Sequence, residues 1–268
     1  MFGKDFVIAC ASVFALWTTQ TAAAPLTPTQ FGDFDRYVLA LSWQTGFCQS
    51  QHDRLGSGPA ECRSQKERED KREFLTIHGL WPGLPKSVSA HGVDERRWMR
   101  FGCATRPLPN YPEAKASRKC AAEETGLSLE VANKLNRMMP ASGGKSCLER
   151  YEYAKHGVCF GFDPDAYFST MVRMNDEVRN SPIGQFLAQN YGKTVTRSEF
   201  DDAVINTWGN EAARAIKLTC SGKPAYLTEM QIALRASAIN GPLSATSLLS
   251  QPHPGNCGSA FVIDKAGF

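Results

Sequence analysis

Phe74-Leu75-Thr76-Ile77-His78-Gly79-Leu80-Trp81-Pro82 is the stretch on which the reading of this chain turns. Phe74 to His78 is branched, aromatic and apolar around one threonine, a strand composition, and Gly79 is the expected stop. Side chains alternate along a strand, so His78 should share a face with Thr76 and Phe74 while Leu75 and Ile77 enter the core. That places His78 at a lip where a ligand can reach it. Trp81 beside it offers a flat ring on which a base can stack. The bland alternative is a core histidine and a core tryptophan before a turn.

Outward from this stretch the pattern is strands, then helices, then strands. Tyr37-Val38-Leu39-Ala40-Leu41-Ser42-Trp43 reads as an earlier strand closed by Gly46. Ser128 is placed to cap a helix with Leu127, Val131, Leu135 and Met138 on one face. Asp163-Pro164 is a helix start with Tyr167, Phe168, Met171 and Val178 inward. Thr196 and Glu199 form a capping box ahead of Phe200, Ala203 and Val204. Strands return at Ala215 to Cys220, at Tyr226 to Leu234 and at Phe261 to Asp264. In the second of these, Tyr226, Met230, Ile232 and Leu234 face one way, Glu229 and Gln231 the other. Without regular alternation of strand and helix, the expected class is α+β: a mostly antiparallel central sheet with helices packed around it.

The chain has 268 residues, and no internal repeat or low-complexity linker divides it. Residues 1–23 read as a secretory signal: Lys4, an apolar run from Phe6 to Trp17, then small residues Thr21 to Ala24. That run is too short to cross a bilayer core of about 30 Å as a helix. Residues 24–268 are then expected to form one domain. Of nine cysteines, Cys10 lies in the signal. Cys48, Cys62, Cys103, Cys120, Cys147, Cys159, Cys220 and Cys257 remain, an even set that in an exported chain reads as four disulfides. A formal net charge of +3 is compatible with an anionic substrate but no argument for one. The mixed-sign run Arg63 to Arg72 reads as a solvated face.

A second word carries more chemistry: Tyr151-Glu152-Tyr153-Ala154-Lys155-His156-Gly157-Val158-Cys159. If it is helical, Glu152 and His156 are i,i+4 neighbours with Lys155 beside them. Such a trio is either a catalytic cluster or an exposed ion pair of small energetic worth. Two histidines flanked by fixed charge are the minimum equipment for phosphoester chemistry near neutral pH.

Together the two words resemble the active-site segments of the T2 ribonuclease family, secreted transferase-type endoribonucleases. The first matches throughout, the second at Glu152, Lys155, His156, Gly157 and Cys159. The phrase from Gly32 to Cys48, which holds the strand Tyr37 to Trp43, is similar to the bacterial periplasmic branch. The resemblance runs from about Phe31 to the end. It implies a catalytic domain that cleaves single-stranded RNA by 2′-hydroxyl attack, through 2′,3′-cyclic phosphates. It implies no cofactor or metal, no cleavage of DNA, a periplasmic location without membrane anchor, and a monomer. By the same resemblance His156 is the general base and His78 the general acid. Glu152 and Lys155 stabilise the charged phosphorus, and Trp81 stacks on a base. Cys103 is expected to pair with Cys159 and Cys220 with Cys257, which leaves Cys48 with Cys62 and Cys120 with Cys147.

The match has departures. Tyr151 stands where many members have a third, phosphate-holding histidine, so it is assigned substrate contact through its hydroxyl. Tyr153 stands where many have tryptophan. Gly83 stands where many have a base-reading Asp, which points to weak base preference. Two rivals remain: an RNA-binding protein on the same fold, and a metal-dependent phosphohydrolase. The first would be marked by loss of a histidine, and both are present. The second needs clustered ligands, yet there is no Cys-x-x-Cys and no histidine pair at helical ligand spacing.

Overall fold

The structure, a computed structural model, describes residues 24–63, 66–109, 111–144 and 146–267. The expected signal, 1–23, lies outside the described residues, as do positions 64 and 65 of the mixed-charge run. Strand β1 (Arg36–Trp43) leads straight into helix α1 (Gln44–Leu55) and the short α2 (Ala60–Arg63). β2 (Leu75–Pro82) follows, then α3 (Lys86–Ser89) and α4 (Glu95–Phe101). The helical middle comprises α5 (Leu129–Met138), α6 (Leu148–His156), α7 (Pro164–Arg179) and α8 (Pro182–Gln189). β3 (Lys193–Thr196), α9 (Arg197–Trp208), β4 (Ile216–Ser221), β5 (Tyr226–Arg235) and β6 (Ala260–Ile263) complete it.

The sheet order is β2-β1-β5-β6-β3, with β4 also on β5. All pairings are antiparallel except β5 with β6, which meet in parallel at Tyr226 and Val262. The class is α+β with a mostly antiparallel sheet, as the strand–helix–strand order implied. The three expected helix starts are in place. Ser128 accepts from Val131 N, Asp163 from Ala166 N, and Thr196 and Glu199 close a capping box. Each such cap satisfies an otherwise orphaned amide, typically worth about 1 kcal/mol.

One sheet face is the core. Leu39, Leu41, Trp43, Ile77, Leu80, Met230, Ile232 and Leu234 are all buried on it. α7 covers this face with Tyr167, Phe168 and Met171, each fully buried. Burying a side chain of that size stabilises the fold by about 1.5–3 kcal/mol. Tyr167 Oη also donates to the Leu80 carbonyl at 2.6 Å, tying α7 to β2.

Two expectations need correction. Phe74 lies in a 3-10 turn, and β2 does not stop at Gly79 but runs on to Pro82. Gly46 likewise closes nothing: β1 ends at Trp43, and Gly46 sits inside α1. Both glycines answer a demand for close approach rather than for a turn. A Cβ at Gly46 would fall 2.1 Å from the Leu227 carbonyl oxygen.

The pairing of β1 with β2 slips once. Leu41 faces Ile77 and Ala40 faces Gly79, so His78 is the extra residue of a β-bulge. Strict alternation would put His78 and Trp81, three apart, on opposite faces. The bulge absorbs the odd residue and turns both to the face away from the core.

The structure joins Cys48 to Cys62, Cys103 to Cys159, Cys120 to Cys147 and Cys220 to Cys257. Two of these staple α6 from both sides, at Cys147 just before it and Cys159 just after it. A nine-residue helix is marginal on its own, so these tethers and its packing hold it.

Candidate active site

The bulged stretch of β2 faces α6, and between them the expected residues assemble. His78 is about one-third exposed, with Nε2 3.7 Å from Glu152 Oε1. Trp81 Nε1 donates to Glu152 Oε2 at 2.8 Å. The Trp81 ring lies edge-on to His78, centroids 5.3 Å apart, and tilted to the His156 ring at 5.7 Å. Trp81 therefore neighbours both imidazoles and is itself half-buried.

Glu152 and His156 are buried, which rules out the exposed ion pair. Lys155 is half-buried, and its Nζ reaches the Tyr151 hydroxyl at 3.4 Å and lies over that ring. Its charge acts on both Glu152 and His156. Tyr151 and His78 line a common cleft of about 430 Å³ with Gln44, Lys119 and Glu229. Glu152 and Trp81 adjoin this cleft through their contacts with His78. Gly79 is the reason Glu152 can come so near β2. A Cβ there would fall 2.2 Å from Glu152 Oε2 and 2.6 Å from Trp81 Nε1.

The electrostatics separate the two histidines. Burial works against the charge of His78, but the bond to Glu229 and the charges of Glu152 and Glu229 outweigh it, and its pKa lies above the ordinary imidazole value. Burial pushes His156 well below that value, and Lys155 and His78 push it further. Burial lifts the Glu152 carboxyl above its usual range against the pull of His78, Trp81 and Lys155. The two imidazoles are thus shifted in opposite directions, His78 toward its protonated form and His156 toward its neutral one.

One partner in the cluster escaped the sequence. Glu229 Oε2 lies 2.5 Å from His78 Nδ1, and Gln231 Nε2 donates to Glu229 Oε1 at 2.6 Å. The available signal was the polar pair Glu229 and Gln231 on one face of an otherwise apolar strand. Among the described residues, no group of three or more His, Cys, Asp or Glu is placed to hold a metal ion.

Comparison with known proteins places the chain in a family. Residues 34–240 match the model of the Ribonuclease T2 family. Over 246 residues the chain is 70% identical to ribonuclease I of Escherichia coli (strain K12), covering 92% of each protein. A probable ribonuclease of Haemophilus influenzae is 29% identical over 151 residues, covering 56% of this chain and 42% of that protein. Among solved structures, the self-incompatibility-associated SF11-RNase of Nicotiana alata superposes with a TM-score of 0.55 at 19% identity, covering 87% of this chain and all of that one. The S3-RNase of Japanese pear gives 0.52 at 18%, covering 85% and 99%. At such identities the superpositions speak for the fold alone. The matched model and the 70% identity along nearly the whole length decide the matter: the chain belongs to the ribonuclease T2 family and is an endoribonuclease.

Proposed function

We propose that this endoribonuclease cleaves single-stranded RNA with weak base preference, by attack of the substrate's own 2′-hydroxyl. The observation that carries the reading is the pair of imidazoles gathered around Trp81 and Glu152, with His156 shifted toward its neutral form and His78 toward its protonated form. His156 takes the proton from O2′ as the O2′–P bond forms. As the P–O5′ bond breaks, His78 gives its Nε2 proton to O5′. The products are a 2′,3′-cyclic phosphate and a 5′-hydroxyl. Lys155 and Glu152 stabilise the charge that gathers on phosphorus. Tyr151, in the cleft wall, contacts substrate through its hydroxyl. Base, acid and charge stabilisation are all side chains, so the step calls on no metal.

Weak base preference rests on what surrounds the stacking ring. Trp81 stacks on any base, and Gly83 offers no side chain to read one. Gly83 is also crowded by Arg36, whose Cγ would lie 2.9 Å from a Cβ there. Residues 24–268 are read as the catalytic domain and 1–23 as its cleaved signal, with the mature monomer delivered to the periplasm. The disulfides support that reading, since they persist in oxidising compartments. No helix among the described residues is long and apolar enough to cross a membrane.

A panel of the sixteen ribodinucleoside phosphates and their 2′-deoxy counterparts, assayed in EDTA, tests this. All sixteen ribo forms should yield 2′,3′-cyclic ends, and the deoxy forms should stay intact. Cleavage of the deoxy forms at a comparable rate would sink the mechanism. One base favoured about a thousandfold would sink the weak preference, because several good base contacts would then be reading it.

The pH dependence follows with its sign. The rate requires His156 without a proton and His78 with one. His156 is lowered, so the ascending limb of kcat/KM should lie below the ordinary imidazole pKa. His78 is raised, so the descending limb should lie above it. The result is a plateau astride the ordinary imidazole value. A single limb at the ordinary value would contradict the assignment.

A further inference from the structure

We propose that Glu229 is a positioning residue for the general acid: it accepts the Nδ1–H of His78 and so commits Nε2 to the departing O5′. This rests on the assignment of His78 as the acid.

The geometry is built rather than incidental. His78 is on β2 and Glu229 on β5, with β1 between them. Neighbouring strands lie about 4.8 Å apart, so the two side chains must reach across a whole strand. Ser42 is the β1 residue paired with both Glu229 and Thr76, and Ala40 is paired with Gln231 and Gly79. Those two small side chains leave the space over β1 in which imidazole and carboxylate meet at 2.5 Å. The bulge at His78 supplies the remaining turn of the ring toward β5. Glu229 is itself fixed: its side chain is only 15% exposed, and Gln231 donates to its second oxygen. A carboxylate held this way selects one imidazole tautomer and one ring orientation.

The other groups facing His78 do not share this role. Glu152, from α6, lies on the Nε2 side at 3.7 Å, where the phosphate must come. Lys119, from the 3-10 turn Ala116–Ala121, and His156, from α6, bear on it only through charge. On its own strand Trp81 touches it edge-on. Glu229 also feels Lys217 of β4, whose charge favours the carboxylate form. Glu229 is the group bonded to Nδ1. A carboxylate there also favours the protonated ring, which supports the same role.

The test compares two leaving groups in one variant. A uridylyl dinucleoside phosphate needs a proton on its departing alkoxide. Uridine 3′-(4-nitrophenyl phosphate) releases a stable phenolate that does not. Glu229→Gln should lose about tenfold or more in kcat on the dinucleoside relative to the nitrophenyl ester, as impaired proton donation requires. The descending pH limb on the dinucleoside should move to lower pH. Because both rates come from the same sample, their ratio does not depend on how much of the variant is folded. His78→Ala is run alongside. If His78→Ala is selective against the dinucleoside and Glu229→Gln is not, the positioning role is overturned. If His78→Ala is not selective, the acid assignment itself fails. Equal losses on both substrates with an unmoved pH limb would reduce Glu229 to a tie between strands.

Discussion

Replacing His156 by alanine should lower turnover on RNA by about 10²–10⁴-fold, and His78→Ala should cost a comparable factor. Neither loss can be made good by a neighbour. Within the cluster, Glu152 already accepts from Trp81, Glu229 from His78 and Gln231, and Lys155 is a cation. His156 also keeps an unpartnered, buried Nδ1 among the described residues, so its role is not to brace the fold through that atom. In the double variant the losses should fall well short of their product if the two histidines act as one unit, as proposed. The measurement is single-turnover cleavage of a ribodinucleoside phosphate, with circular dichroism to show that each variant is folded. Near-normal turnover in a folded variant would remove that histidine from the mechanism.

Gly79→Ala should be nearly as damaging, although it removes no functional group. The added methyl would fall 2.2 Å from Glu152 Oε2 and 2.6 Å from Trp81 Nε1. Real contacts of that kind do not occur, so the bond between Trp81 and Glu152 must open. β2 cannot retreat, because its other face is the packed core and Leu80 holds the Tyr167 hydroxyl. α6 cannot easily retreat either, with disulfides at Cys147 and Cys159. Displacing a group that stabilises transition-state charge costs about 10²–10³ in kcat, and Gly79→Ala should lose at least a hundredfold. The stability cost should be about 1–3 kcal/mol, as for other overpacked sites, leaving the protein folded. Activity within a few-fold of the unaltered enzyme would mean that Glu152 and Trp81 can move apart without consequence.

The residues of the two words were legible because each carries its chemistry in its type: two imidazoles, an ammonium, a carboxylate and an indole. The strand and helix order was legible where periodicity and caps were strong, as at Ser128, Asp163 and Thr196. Helix α1 was not. Its buried residues are Gln44, Thr45, Gly46, Cys48 and Ser50, so it shows no apolar stripe. What holds it is the Cys48–Cys62 bridge, the Thr45 hydroxyl on the Asp264 carbonyl, and the close approach that Gly46 permits. None of these is a local signal. Glu229 was out of reach for a similar reason. It stands far along the chain from His78, and only the sheet order, with β1 inserted between β2 and β5, brings them together. Gly79 was visible but misread, because a glycine that ends a strand and one that admits a neighbour look alike in sequence.

The bulge at His78 makes chain length in β2 a catalytic variable. Delete one residue between Thr76 and Trp81, and the strand loses its extra residue, so β2 would pair with β1 in regular alternation. Leu80 and Trp81 would keep their sides, but the one outward position left before Leu80 could not hold both His78 and the glycine that admits Glu152. No substitution could undo that, since the fault would lie in the count of residues and not in their kind. Divergence in this stretch is therefore restricted to exchange of side chains. Insertions and deletions, which surface loops absorb at little cost, are closed to it.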